Sequence, residues 1–443
     1  MALAGCRGGA PAGVWGRAPQ AGVQRAQPSG GVQGRSPCKQ KEGENVRKRL
    51  PHLSYVVAPL TVLLALLAVA AFTGEWPTAT HGYNSYVLQA QAWLDGRLDL
   101  GLDYPWLELA IYEGKYFVSF PPFPSYVMLP FVALNGIFIS DGFIAWAVTL
   151  LGAVYATALY RHYRRDDKGV FWVTFLYLGT GAIFISLNAW VWFIAQSMCF
   201  TLSLMAITHA AKGHGGMALT CWACAVGCRP MAAVYLPVLV MLLYQAHRPT
   251  SVLKWVKRRW YWAIGPCLLA ASYMWLNWAR FGNVLEFGHN YLPEFVQAEN
   301  GQFSLAYLTK NLNLLLRMPV FTNGESPLIF EKFDTMAFWL INPMFISIFI
   351  AWVMALTKKG KRGEAILLMA LALCHVFIIC CHKTLGAWQF GNRYLVDLMP
   401  WLFLGLMKWM PEKSRLTLIS QPLMIWGVLI NLMGTVAVYN RWI

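Results

Sequence analysis

THGYNSYVLQAQAWLDGRLDLGLDYPWLELAIYEGKYFVSFPPFPSYVMLPFVALNG, residues 80–136, separates the first long apolar run of the chain (55–72) from the next (142–160). With its flanks it holds seven of the 20 acidic residues, Glu75, Asp95, Asp99, Asp103, Glu108, Glu113 and Asp141, against two bases, Arg97 and Lys115. Acids gathered in an aromatic loop between two membrane-length segments point to a site beside the bilayer. The side on which the loop lies decides what that site can meet.

The surrounding composition makes the solvent plain. Of 443 residues 57% are hydrophobic and 13% charged, whereas a soluble domain carries about 25% charged residues. Runs of about 20 apolar residues, the length that crosses a bilayer, recur at 55–73, 142–160, 170–187, 192–211, 217–228, 230–246, 260–278, 337–357, 364–382, 393–408 and 419–439. The fold class is all-α: a polytopic membrane protein of about eleven transmembrane helices, with interfacial helices in the first outer loop. The net charge of +16 lies in short runs between spans, as topology signals do, and does not indicate nucleic acid. Cys221, Cys224 and Cys228 form one apolar helical stripe without a fourth ligand nearby, so they read as packing and no metal site is expected.

Residues 1–50, rich in Gly, Ala, Pro, Gln and Arg, read as a disordered basic cytoplasmic tail ahead of a membrane domain over 51–443. With the N-terminus inside and 125–140 lying in the interface, the basic stretches 161–168, 248–259, 358–362 and 408–415 all fall on the cytoplasmic side. The loops 74–141 and 279–336 then lie outside. One pair of spans is too short. Between basic flanks, residues 217–246 must enter and return, yet two full crossings need roughly 40 residues. The turn falls at Cys228-Arg229-Pro230, where Pro ends the helix. Arg229 is thereby held below the surface, where a cation either finds an anionic partner or snorkels to headgroups.

Several stretches resemble the C-type (GT-C) superfamily of membrane glycosyltransferases over roughly residues 55–410. These are Asn84 through Gly96-Arg-Leu-Asp-Leu100, Tyr112-Glu-Gly-Lys-Tyr116, Phe120-Pro-Pro-Phe-Pro124, Arg229-Pro230, Arg280-Phe-Gly-Asn-Val-Leu-Glu-Phe-Gly288, and Phe390-Gly-Asn-Arg-Tyr394 with Asp397 and Pro400. The resemblance implies a transferase that moves a sugar from a polyprenyl-phosphate donor to a glycan, lipid or protein acceptor at the outer face. It implies a bacterial inner (plasma) membrane, with an endomembrane as the alternative. No cofactor is expected; a divalent metal is the alternative, disfavoured because two nearby carboxylates at matching depth are not evident.

Such chemistry needs a base for the acceptor hydroxyl, cations for the departing phosphate and an apolar groove for the prenyl chain. Arg229 and Arg393 are the phosphate candidates, with Tyr394 beside Arg393. The alternative for Arg393 is an ion pair with Asp397 one helical turn on. For the base the chain departs from the family, since Thr80-His-Gly-Tyr-Asn-Ser-Tyr86 holds no acid where relatives carry one. Glu108, His81 and Asp103 are the candidates, in that order. Asn84, Trp192 and Gln196 complete the expected substrate contacts, Trp192 as a stacking face or as part of an interfacial aromatic belt. The loop 279–336, with Glu286, His289, Glu294, Glu299, Glu325, Glu331 and Asp334, is a candidate lid. The rival readings are a non-catalytic relative that has lost its acid, and a lipid or solute transporter.

Overall fold

Continuous apolar sequence folds as helix because the hydrocarbon core offers backbone amides no other partner. A computed structural model describes residues 41–318, 336–386, 388–411 and 415–442, with side-chain environments from Leu53 onward. Glu325, Glu331 and Asp334 lie outside the described residues. Six segments are long and apolar enough to cross a membrane: Leu53–Thr73, Asp141–Tyr163, Val191–Ala211, Pro230–His247, Lys359–Cys380 and Leu416–Tyr439. The chain is a polytopic, mostly helical membrane protein.

The other five expected spans are present but are short or interrupted. Residues 170–187 break into Gly169–Leu178 and Ala182–Ser186, 337–357 into Phe338–Ile341 and Met344–Leu356, and 393–408 into Arg393–Val396 and Met399–Trp409. Gly215–Val226 is a single short helix, and Ile264–Phe281 follows the 3-10 turn Trp260–Ala263. Buried amides serve backbone groups near these breaks. Asn342 Oδ1 accepts from Gly181 N at 2.8 Å, and Asn431 Nδ2 donates to Ile341 O at 2.7 Å. Asn392 Nδ2 donates to Met336 O.

Exposure sorts the helices by position. Leu53–Thr73, Lys359–Cys380 and Leu416–Tyr439 keep most of their most apolar window uncovered, as lipid-facing helices do, whereas 83% of that window in Val191–Ala211 is buried. This central helix carries Trp192 and Gln196 in its first two turns. Close approach is secured by small residues. A Cβ on Gly427 would stand 2.6 Å from Gly179 O, so Leu416–Tyr439 lies directly on the break after Leu178.

In the loop 74–141 the expected interfacial helix over 125–140 runs instead from Phe123 to Asn135 and stops where Gly136 turns to φ 64°. A second helix, Ser85–Leu94, packs against it. Between them lies a feature the all-α reading omits, an antiparallel hairpin of Leu109–Tyr112 and Lys115–Val118. Its two-residue turn is formed by Glu113 (φ 49°) and Gly114 (φ 72°), both in the left-handed region that such tight hairpins require.

Side-chain contacts divide the loops into two groups at opposite ends of the bundle. At one end Arg164 Nη1 donates to Met410 O at 2.7 Å, Lys408 pairs with Glu364, and Gln245 donates to Glu364 at 3.1 Å. At the other, Phe123 N donates to Gly227 O at 3.0 Å, Trp192 meets Glu108, Arg229 meets Asp397, and Asn440 Nδ2 reaches Phe72 O at 3.0 Å. The alternation of eleven runs expected from sequence puts each of these loops on the end where it is found. The basic end is the one the charge rule assigns to the cytoplasm.

Candidate active site

The central helix opens into a cavity of about 410 Å3 at the acidic end. Trp192 Nε1 donates to Glu108 Oε2 at 2.9 Å, which turns the carboxylate into the cavity. Glu108 stands immediately before the hairpin, and its carbonyl accepts from Ser119 Oγ at 3.1 Å, so both strands hold it. Burial pushes its carboxyl above the usual range. The bond from Trp192 and the charge of Arg393 oppose that rise, and Glu294 adds to it.

One turn deeper, Gln196 Nε2 donates to the Arg393 carbonyl and, at 2.9 Å, to Asp397 Oδ1. The other Asp397 oxygen accepts Arg229 Nε at 3.1 Å and lies 3.0 Å from its Nη2. The anionic partner of Arg229 is therefore a carboxylate of this chain, and headgroup snorkelling does not describe it. Arg229 reaches Asp397 because it is extended (φ −142°, ψ 110°) between Gly215–Val226 and the 3-10 turn Pro230–Tyr235. The Asp397 partnership expected as the alternative for Arg393 is thus taken by Arg229 and Gln196.

Arg393 is 3% exposed, and its Nε and Nη1 make no hydrogen bond among the described residues. Its guanidinium carbon lies 4.9 Å from the Tyr394 ring centroid and 5.8 Å from that of Phe193; the Arg229 guanidinium lies 4.9 Å from the same tyrosine ring. Gly386 lets the chain pass close by, since at φ +101° a Cβ there would stand 3.1 Å from Arg393 Nε. Buried polar groups are ordinarily paired, so a buried guanidinium with two unpartnered nitrogens beside a cavity stands out. The cavity wall continues over Cys228, Pro230, Met231, Ile378 and Ile379, which are apolar.

His289 and His382, with Gln302, line the remaining side. His289 was named from sequence only as one of the titratable residues of the loop 279–336, and His382 was not named, because nothing in its spacing sets it apart. His289 Nδ1 lies 3.3 Å from Ser119 O, and His382 Nδ1 lies 2.7 Å from Thr384 O. Burial, then the neighbouring His382, drives the His289 imidazole down to about 3, so it is neutral at physiological pH.

Three expected residues lie elsewhere. His81 sits between Asp141 (2.7 Å) and Glu75 (2.9 Å), and Asn84 Nδ2 donates to Asp141 Oδ2 at 2.8 Å. Burial alone would lower the His81 value, but these two carboxylates outweigh it and raise it to about 9. A protonated imidazole with both nitrogens engaged is a strut for the start of the loop, not a base. Asp103 is exposed and outside the cavity. Glu108, Trp192, Arg229, Arg393 and Tyr394 come together on the cavity wall, with Gln196 fixing them from below. Asp397 belongs with them, although sequence offered it only within the stretch from Phe390 to Pro400 and as a partner for Arg393.

A second cavity of about 540 Å3 lies at the opposite end, between Arg248, Lys361, Glu364 and Lys408. Its central charges pair with each other, and it offers no apolar groove. Among the described residues no three His, Cys, Asp or Glu side chains cluster as metal ligands would.

No protein-family model and no curated protein matches this chain. A solved structure, ArnT from Cupriavidus metallidurans in the apo state, is similar over 78% of this chain at 13% sequence identity, with a TM-score of 0.44. The match spans 58% of that protein's length.

Proposed function

We propose that this protein is a membrane glycosyltransferase that takes its sugar from a polyprenyl-phosphate donor and delivers it to a hydroxyl acceptor at the non-cytoplasmic face. The observation that carries the reading is the buried Arg393 guanidinium, with two nitrogens unpartnered, opening on a cavity that also holds a half-buried carboxylate and an apolar wall. The order of motifs along the sequence supports the same class.

In this reading Arg393 grips the phosphate, Arg229 being held by Asp397 beside it, and Met231, Ile378 and Ile379 receive the first isoprene units. Glu108 takes the proton from the acceptor hydroxyl. The acceptor oxygen attacks the anomeric carbon while the bond from that carbon to the phosphate oxygen breaks. Polyprenyl phosphate leaves with the bonding electron pair, its growing charge met by the guanidinium. Burial raises the Glu108 value, which makes its carboxylate a stronger base for this task. Trp192 both aims Glu108 and offers a face to a sugar ring. The acceptor, whether glycan, lipid or protein, enters past Glu294 and Phe303. A bacterial inner membrane suits such a donor.

The test is transfer or hydrolysis of a polyprenyl-phosphate sugar by purified protein. Glu108→Gln lowers turnover by about 100-fold or more, and in the wild type the rate falls with falling pH as Glu108 is protonated. Arg393→Gln abolishes donor binding. Full activity in both folded variants contradicts these roles. A non-catalytic relative is the second reading, favoured by His81 standing locked between carboxylates in the segment where relatives carry an acid. It predicts donor binding without turnover.

A further inference from the structure

Two guanidinium groups flank the Tyr394 ring, but only one of them lacks a counter-charge. Arg229 is held through Nε and Nη2 by one oxygen of Asp397. The other oxygen is held by Gln196, whose amide is itself fixed to the Arg393 carbonyl. Asp397 is 6% exposed and engaged on both oxygens, so it cannot turn away to water when a ligand arrives. Among the described residues Arg393 Nε and Nη1 have no such partner.

The other charged or titratable groups facing the cavity do not restore a second cation. Glu108 stands across from Arg393 and opposes further negative charge. Glu294 pairs with Lys383 at the rim, at 3.9 Å. His289 and His382 each present Nδ1 to a backbone carbonyl, and His382 Nε2 lies 3.2 Å from Gln302.

Resting on the lipid-phosphate reading above, we propose that Asp397 is a specificity-determining residue: by neutralising Arg229 it restricts the cavity to a lipid phosphodiester bearing one negative charge and excludes the diphosphate, which bears two. Only the first charge finds a free cation. The second would sit in a partly dehydrated site against Asp397 and Glu108, where an uncompensated charge is costly. Asp397 acts through Arg229 and touches no reacting atom, so its effect falls on the choice of donor.

Two synthetic probes with the same prenyl chain test this, a prenyl methyl phosphodiester (one charge) and a prenyl methyl diphosphate (two charges). Their affinities are measured on the full-length protein in nanodiscs. The wild type binds the single-charge probe about tenfold tighter or more, which is about 1.4 kcal/mol. Asp397→Asn, which keeps the side-chain shape and the Gln196 bond, frees the Arg229 charge and reduces that ratio to about unity or inverts it. The double variant Arg229→Gln with Asp397→Asn returns the local charge to that of the wild type, and the preference returns with it. Should Asp397→Asn fail to fold, Arg229→Gln decides: it leaves the Asp397 charge uncompensated and raises the preference for the single-charge probe, and an unchanged ratio overturns the charge rule. Equal binding of both probes by the wild type, or an unchanged ratio in folded Asp397→Asn, overturns the charge rule alone. Binding of neither probe overturns the lipid-phosphate reading and the charge rule with it.

Discussion

Arg393 and His81 are both buried cations, and the difference between them separates site from scaffold. His81 is fully engaged by Asp141 and Glu75, so its charge is spent inside the fold. Its imidazole value, raised from 6.5 to about 9, makes it a stabilising group below about pH 6.5. That contribution falls as pH rises and is lost once pH passes the folded-state value. It amounts to something on the order of 3 kcal/mol. The apparent melting temperature in detergent should therefore fall between pH 6.5 and 9.5 in the wild type and vary less over that range in His81→Asn. A flat wild-type profile would show that the cluster does not bind a proton on folding. Sequence named His81 for its position after the first span and could not reveal the Asp141 contact, since 60 residues separate the pair. Arg229 was legible for the opposite reason. Arginine at the turn of a span pair too short to clear the bilayer has few explanations. Whether Asp397 would neutralise Arg229 or Arg393 was not legible, because helical spacing favoured Arg393 and only the tertiary fold brings Arg229 alongside.

At the scale of elements, the positions of the spans could be read from apolar length alone, but their interruptions could not. A break inside an apolar run leaves backbone groups that only a side-chain amide can satisfy. Asn342, Asn392 and Asn431 do this here, and buried asparagines at such places are the signal a hydropathy reading passes over. The hairpin had a plainer mark, two short β-prone stretches around Glu113-Gly114. The turn of the short span pair rests directly on the loop 74–141. A Cβ on Gly227 would stand 2.2 Å from Tyr273 Oη and 2.9 Å from Phe123 Cβ. Gly227→Leu should therefore push helix Phe123–Asn135 away from Arg229, destabilise the protein by about 1–3 kcal/mol and weaken donor binding. An unchanged melting temperature would mean that this contact is not formed.

For the whole molecule, the two groups of loop contacts at opposite ends match eleven crossings, while the assignment of inside and outside rests on the basic residues alone. Asp103 and Lys359 are both exposed and lie on opposite ends by this count. Cysteine at 103 should react with an impermeant thiol reagent added to intact cells, and cysteine at 359 only after the membrane is opened. The reverse pattern would put the cavity on the cytoplasmic side and remove the proposed acceptor. The proposed function rests on the convergence of Glu108, Arg393 and the Arg229–Asp397 pair at one apolar-walled cavity. The direct measurement is an experimental structure with a prenyl phosphodiester bound. It should place the phosphate against Arg393 Nε and Nη1 over the Tyr394 ring, with the prenyl chain running along Met231 and Ile379. A phosphate located elsewhere, with the Arg393 guanidinium still unoccupied, would contradict that arrangement.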